Sequence, residues 1–233
     1  MMDPCALAGY RSQAYWLLSR LMCEAPTAEL LTAILESAGS AERIDKSVDA
    51  DLTRLRDAAY AVHGDEQRLS ELAAEFTRLF GGISARNGLA PIESAVREGR
   101  ALGESAAAVA QFYAEAGYPQ PCPEAGPVDH LATELRFLAF ACYSEARAWR
   151  NKEQTATREW LEREQRFLDE HVLAWAPHYC AAIAARTKDP FYAALAKLIA
   201  RSCMADGREV RQTLRITRSL SAAAVPPTLR MAE

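Results

Sequence analysis

The sequence has little of what builds β-strands or spans membranes. Isoleucine, valine and threonine are sparse, and no run of them alternates with polar residues as a half-buried strand does. The longest apolar stretches, FLAFACY (137–143) and YCAAIAA (179–185), have seven residues each, whereas a transmembrane helix needs ~20. The N-terminus has no basic segment followed by an apolar one. We therefore expect neither a secretory signal nor stable membrane insertion.

Motifs of catalysis and cofactor binding are also missing. The six cysteines form no CxxC pair, which argues against the common zinc sites and indicates reduced thiols in a cytoplasmic protein. None of the four histidines follows a glutamate by three residues, as the ligands of di-iron bundles do, and HExxH, GxGxxG, GxSxG and phosphate-binding loops are absent. The net charge of −4 argues against nucleic acid as a partner. The sequence favours a binding protein without cofactor over an enzyme.

Helical periodicity runs along almost the whole chain. Alanine, leucine, glutamate and arginine dominate, and all are good helix formers. Glycines after Phe80 and four prolines between residues 118 and 127 predict two irregular loops, at 81–91 and 117–128. We predict an all-α fold, a single-domain bundle of about eight to ten helices interrupted by these two loops.

The predicted domain boundary lies near the C-terminus. Residues 1–205 form the helical domain, whose last helix is expected to end near Ala205, and a bend or split is expected at Pro177. Residues 206–233 are predicted to be a C-terminal tail. Arginines recur in this tail three or four residues apart, so a helix would gather them on one face. They either contact the acidic segment described below or are solvated; they are Arg208, Arg211, Arg215 and Arg218.

Three sequence elements occur in a characteristic order and spacing: EFTRLFGG (75–82), APIESAV (90–96) and GPVDHLATELRFLA (126–139). Together they resemble the TorD/DmsD/NarJ family of redox enzyme maturation chaperones, over about Tyr10 to Arg201. The resemblance implies a TorD-like helical fold and a cytoplasmic chaperone rather than an enzyme. Its partner would be the twin-arginine signal peptide, or the apoprotein, of a molybdenum-cofactor reductase or dehydrogenase. The chaperone would hold back export until the cofactor is inserted.

The resemblance also implies a peptide site. In the family, the Pro-x-Glu-Ser loop and the Asp-His pair line the proposed site, although members often carry aromatic residues where this chain has Ile92, Ala95 and Val96. Glutamate one helical turn after the Asp-His pair, and apolar residues of the preceding helix, complete the candidate set. Their helical spacing also fits core residues. The candidate signal-peptide binding residues are Glu93, Ser94, Asp129, His130, Glu134, Phe76 and Leu79.

Charge supports a cationic ligand for this segment. Residues 93–134 contain seven acidic and two basic side chains, a net charge of −5 that exceeds the −4 of the whole chain. A carboxylate can hold a guanidinium group in a bidentate pair. At the start of the long helix we expect Asp129 to act as the cap. We expect the positive helix end to keep His130 neutral near pH 7.

Two other interpretations remain open. The chain could be a helical adaptor or assembly protein that binds a partner helix without any signal peptide. It could also be a metal-dependent enzyme with a site around His130 and Glu134, which share a helix face. In either case the protein could be a monomer or a homodimer.

Overall fold

The computed structural model describes residues 3–37, 46–81, 89–119 and 126–223. Within these ranges the chain is all-α, as predicted, and the one extended pairing is an isolated antiparallel bridge between Ile92 and His130. Parts of the two predicted loops, residues 82–88 and 120–125, lie outside the described residues. The helices are α1 (Pro4–Cys23), α2 (Ala28–Glu36), α3 (Lys46–Tyr60), α4 (Glu66–Phe80), α5 (Glu93–Glu98), α6 (Glu104–Glu115), α7 (Leu131–Arg150), α8 (Gln154–Phe167), α9 (Leu173–Arg186) and α10 (Pro190–Ala223).

Helix α7 lies at the centre of the bundle. It packs against α1 and α8, while α10 packs against α3 and α9. Helices α1 and α7 run antiparallel, because Cys5 Sγ donates to Ala146 O (3.3 Å) whereas Ser12 Oγ donates to Ala139 O (2.8 Å). None of the described helices has both the length and the apolar character needed to cross a membrane.

Helix α10 extends well beyond its predicted end. It continues to Ala223, so the expected end near Ala205 is wrong and the predicted division between residues 205 and 206 falls within this helix. Asp206, Val210 and Leu214 are buried at helical spacing and extend the core-facing stripe by more than two turns. Residues 224–233 lie outside the described part of the chain.

The irregularity predicted at Pro177 lies earlier in the chain. A π-helical turn, Leu168–Val172, joins α8 to α9, and Pro177 lies inside α9. Proline lacks an N–H group and its ring crowds the carbonyl four residues before it, here that of Leu173. Leu173 is the first residue after the π-helical turn. The helix therefore changes its hydrogen-bond pattern next to the carbonyl that Pro177 leaves without an N–H donor.

Candidate functional site

The two motifs identified in the sequence lie side by side. The Glu93 N–H donates to Asp129 O (2.9 Å) and the Leu131 N–H donates to Pro91 O (2.8 Å), which forms the antiparallel bridge. The loop before α5 is thereby attached to the start of α7, and three carboxyl side chains converge beneath it. We call this region the acidic junction and define it by Glu93, Asp129 and Glu134.

Asp129 has a different capping role from the predicted one. Its Oδ2 accepts a hydrogen bond from the Ser94 N–H (2.8 Å), so Asp129 caps the start of α5, which no residue next to α5 caps. The expectation that Asp129 caps α7 is therefore wrong. His130 takes that position, since its Nδ1 accepts from the Ala132 N–H (3.1 Å). The neighbouring residues of the Asp-His pair thus cap two different helices.

His130 is neutral in the fold, as predicted, but for a different reason. Burial lowers the pKa of His130 to about 4, whereas the sequence argument relied on the helix end. Because Nδ1 accepts a hydrogen bond, the neutral ring carries its proton on Nε2. His130 is therefore an uncharged cap with one donor remaining.

The three carboxyl groups of the acidic junction are fully buried. Glu93 accepts hydrogen bonds from Arg97 Nη1 and from His171 Nδ1 (3.1 Å), and Glu134 accepts one from Trp175 Nε1 (3.1 Å). Burial, followed by the negative charge of Glu93, raises the pKa of Glu134 well above its usual range. The raised pKa favours the protonated form of Glu134, which can donate a hydrogen bond to Glu93.

Several buried polar atoms in and beside the acidic junction have no hydrogen-bond partner among the described residues. They include Ser94 Oγ, Asp129 Oδ1 and Thr133 Oγ1. Buried polar atoms usually have such a partner, either protein or water. All three residues are fully buried, so these acceptors become available to a further N–H group only when the side chains above them move.

Phe76 and Leu79 pack as core residues. Leu79 is buried, and its carbonyl oxygen accepts from the Leu89 N–H (3.0 Å). Phe76 is partly buried, with its ring centroid 5.0 Å from that of Phe80 and 6.5 Å from that of Tyr192. These contacts anchor the end of α4 on α10. These contacts agree with the alternative stated in the sequence analysis, that Phe76 and Leu79 are core residues.

The negative charge of residues 93–134 is largely used within the protein. Besides the three carboxyl groups of the acidic junction, Glu98 accepts from the backbone N–H groups of Glu104 (2.9 Å) and Ser105 (2.8 Å). Glu115 forms an ion pair with Arg166 (3.0 Å). Among the described residues of the segment, these carboxylates thus serve as helix caps and as partners in ion pairs and hydrogen bonds.

A second buried charge cluster escaped the sequence analysis. Arg11 contacts three carboxylates at once: Glu145 (2.7 Å), Glu164, and Asp206 (3.1 Å from Nη2 to Oδ2). We call these four residues the Arg11 cluster. The sequence signal was present, because Arg11 lies at helical spacing from buried Ala8 and from residues 15 and 18 on the core-facing side of α1.

The Arg11 cluster is compensated internally. Burial would lower the pKa of Arg11, but the nearby carboxylates outweigh it and the pKa is raised. Burial also raises the pKa of Glu164 well above its usual range. Tyr15 donates its hydroxyl to Asp206 (2.7 Å), and Trp149 Nε1 donates to Glu145 (2.8 Å).

The structure places the potential metal ligands away from His130 and Glu134, the pair considered in the sequence analysis. His130 and Glu134 are used in a helix cap and a hydrogen bond to Trp175. Among the described residues, the group of potential ligands is Cys142, Glu164 and Asp206, whose ligand atoms lie within 4.8 Å of one another. Arg11 already supplies a cation to both of these carboxylates, so a metal ion would have to displace it.

An apolar groove lies beside the Arg11 cluster, between α1, α3 and α10. Its volume of about 160 Å³ is close to that of an engineered apolar cavity, about 150 Å³, that binds benzene. The groove can therefore accept one large apolar side chain. Its apolar lining comes mainly from Tyr10, Ala14, Leu17, Leu18, Val48, Leu52 and Leu198.

Comparison with known proteins now gives the family. The profile of the family described as "Nitrate reductase delta subunit" matches residues 41–181, more than half of the chain. The chain belongs to this TorD/NarJ family. The match spans all three sequence elements that suggested the resemblance, so that prediction is confirmed.

Individual relatives within the TorD/NarJ family are chaperones by name. The chain is 28% identical to "Chaperone protein TorD" of Aeromonas salmonicida (strain A449) over 211 residues, which cover 85% of this chain and 90% of the relative. It is also 28% identical to "Chaperone protein TorD" of Aliivibrio fischeri (strain ATCC 700601 / ES114) over 203 residues, 81% of this chain and 89% of the relative. A solved structure of a candidate redox enzyme maturation protein from Archaeoglobus fulgidus has a TM-score of 0.44 and 20% identity, and it covers 82% of this chain and 91% of that chain.

Proposed function

We propose that this protein is a cytoplasmic maturation chaperone, not an enzyme, for a molybdenum-cofactor oxidoreductase. It binds the twin-arginine signal peptide or the apoprotein of that client and assists cofactor insertion and the quality control of export. Membership of the TorD/NarJ family and the TorD chaperones among its relatives support this proposal. The observation that carries it is the acidic junction, which joins the two motifs around buried carboxylates.

The ligand chemistry of the acidic junction is that of a guanidinium group. Glu93 is fully buried, yet its partner Arg97 keeps 39% of its side chain exposed. Arg97 also donates to Glu170 O (3.2 Å) at the surface. A client arginine takes the place of Arg97 when that side chain swings outward, and it forms the same charge-assisted hydrogen bonds to Glu93.

The remaining atoms of the acidic junction favour arginine over lysine. A guanidinium has five N–H donors in a planar fork, whereas an ammonium group has three on a compact centre. Asp129 Oδ1, Ser94 Oγ and Thr133 Oγ1 have no partner among the described residues and can accept the additional N–H groups. Burial raises the pKa of Glu134, which favours its neutral form beside Glu93.

The apolar part of a signal peptide needs a separate contact. The groove between α1, α3 and α10 is lined largely by apolar side chains and has space for one large side chain of the peptide. Apolar side chains inserted into such pockets contribute much of the binding energy in many complexes. The proposal thus assigns the cationic and apolar parts of the peptide to two places on the protein.

Calorimetry with a synthetic peptide carrying Arg-Arg before an apolar segment, and with its Lys-Lys counterpart, tests the proposal. We expect the Arg-Arg peptide to bind about tenfold more tightly, and its binding to weaken as salt rises. Glu93→Gln should reduce the affinity about tenfold, whereas Glu162→Gln, at an exposed acid paired with Arg218, should leave it unchanged. Equal binding of the two peptides, or no binding at low salt, would contradict it.

A further inference from the structure

Helix α7 exposes a single stripe along an otherwise buried surface. The stripe recurs at spacings of four and three residues and spans about 21 Å, at a rise of 1.5 Å per residue over 14 residues. Of the remaining α7 residues, all are buried except Trp149, which is partly buried. We call this surface the basic–aromatic stripe; its residues are Arg136, Phe140, Tyr143, Arg147 and Arg150.

Aromatic side chains are unusually exposed on and beside the stripe. Tyr143 is 58% exposed, and Trp16 of α1 is 50% exposed with the Arg136 guanidinium 4.7 Å from its ring centroid. On the other side, Trp160 of α8 lies 5.5 Å from Phe140, ring centroid to ring centroid. Tryptophan, tyrosine and arginine are the residues that most often dominate the binding energy of protein interfaces.

The charge of the stripe is opposite to that of the whole chain. Three of its five residues are arginines, and both acidic residues of α7, Glu134 and Glu145, are buried away from it. Arg147 and Arg150 are exposed and form no ion pair within the part of the chain that the structure describes. The protein nevertheless carries a net charge of −4. The stripe is thus a local cationic surface suited to a ligand with carboxylates.

We propose that the basic–aromatic stripe binds an acidic, amphipathic helix of a partner protein. A helix laid along α7 would place apolar side chains on Phe140 and Tyr143 and carboxylates on Arg147 and Arg150, at the end of α7. This ligand is the charge opposite of the arginine-bearing peptide assigned to the acidic junction, so one segment cannot satisfy both surfaces. The stripe is a second interaction surface that does not depend on signal-peptide binding.

Two synthetic helical peptides of about 15 residues test this inference, because that length suffices for a helix that forms on binding. They share one apolar face and carry either glutamate or lysine on the polar face. With the full chain, fluorescence anisotropy should show the glutamate peptide binding about tenfold more tightly than the lysine peptide. Arg147→Glu and Tyr143→Ala should each weaken the glutamate peptide about fivefold to tenfold.

Arg100→Glu is the matched control, because it makes the same charge change at an exposed arginine of a different segment. It should leave the affinity unchanged, and circular dichroism should show the same helix content in all variants. Equal affinity for the two peptides, or equal effects of Arg147→Glu and Arg100→Glu, would overturn the proposal. So would a dimer in sedimentation that Tyr143→Ala dissociates, which would make a second copy the occupant. Binding to phosphatidylglycerol vesicles that Arg147→Glu abolishes, without binding of the glutamate peptide, would also overturn it.

Discussion

The Arg11 cluster and the acidic junction each bury three carboxyl groups, but their compensating cations lie in different places. Arg11 is 5% exposed and contacts all three carboxylates of its cluster, which belong to α7, α8 and α10. Arg97 forms an ion pair with one carboxylate, that of Glu93, and remains accessible to solvent. A buried arginine of this kind joins four helices and cannot exchange, whereas a surface arginine over a buried acid can be replaced by one from a ligand.

Arg11→Met should have the largest effect on stability. It leaves three carboxyl groups buried without their cation, and removal of one member of a buried ion pair costs about 3–5 kcal/mol. Urea denaturation followed by circular dichroism measures the loss. The matched change in the acidic junction, Arg97→Met, takes the cation from one buried carboxyl group instead of three and leaves Glu93 its contact with His171, so it should cost clearly less than Arg11→Met. Similar losses for the two variants would remove the distinction between the clusters.

Asp129→Ala should have an intermediate effect. The substitution leaves the buried Ser94 N–H without its acceptor and releases the cap of α5, at a cost of about 1–3 kcal/mol. Asp129→Asn keeps a carbonyl-type acceptor in the same position and should cost less. Thermal unfolding of both variants measures this order. We also predict that Asp129→Ala weakens peptide binding more than it weakens the fold, which calorimetry on the folded variant would check.

His130 should make stability fall as the pH falls from about 6.5 to about 4. In the fold its pKa is lowered to about 4 from an ordinary value of 6.5, so between these values the unfolded chain binds more protons than the folded one. His130→Asn keeps an N-cap and removes the titrating ring. Its stability at pH 7 should stay close to that of the wild type, while its loss of stability over that window should be smaller. An unchanged pH profile would show that His130 has the same pKa in the folded and unfolded states.

Much of the fold follows from local sequence signals. Glycine after Phe80 and glutamate at residue 104 mark helix boundaries within a residue of those observed, because caps and breakers act locally. The end of α10 does not follow from local sequence signals. Residues 206–214 are helical because Asp206 and two apolar side chains are buried against other elements. The helical spacing of Val210 and Leu214 is visible in the sequence, but the spacing alone does not show that other elements cover these residues.

The candidate site shows the same limit. The Pro-x-Glu-Ser loop and the Asp-His pair could be chosen from the sequence, and the structure brings them together through two backbone hydrogen bonds. That Asp129 caps α5 rather than its own helix could not be predicted, because its partner Ser94 lies 35 residues away. Nor does helical spacing distinguish a groove-lining Leu79 from a core one, since both face the protein.

The central claim is that Arg97 holds the place of a client arginine at Glu93. Titration of the Arg-Arg peptide into wild type and Arg97→Gln, with Arg78→Gln as the control at an exposed arginine paired with Glu75, tests it directly. The account predicts that Arg97→Gln binds the peptide several-fold more tightly, because the internal competitor is gone, while Arg78→Gln binds it as the wild type does. Unchanged or weaker binding by Arg97→Gln would contradict the claim.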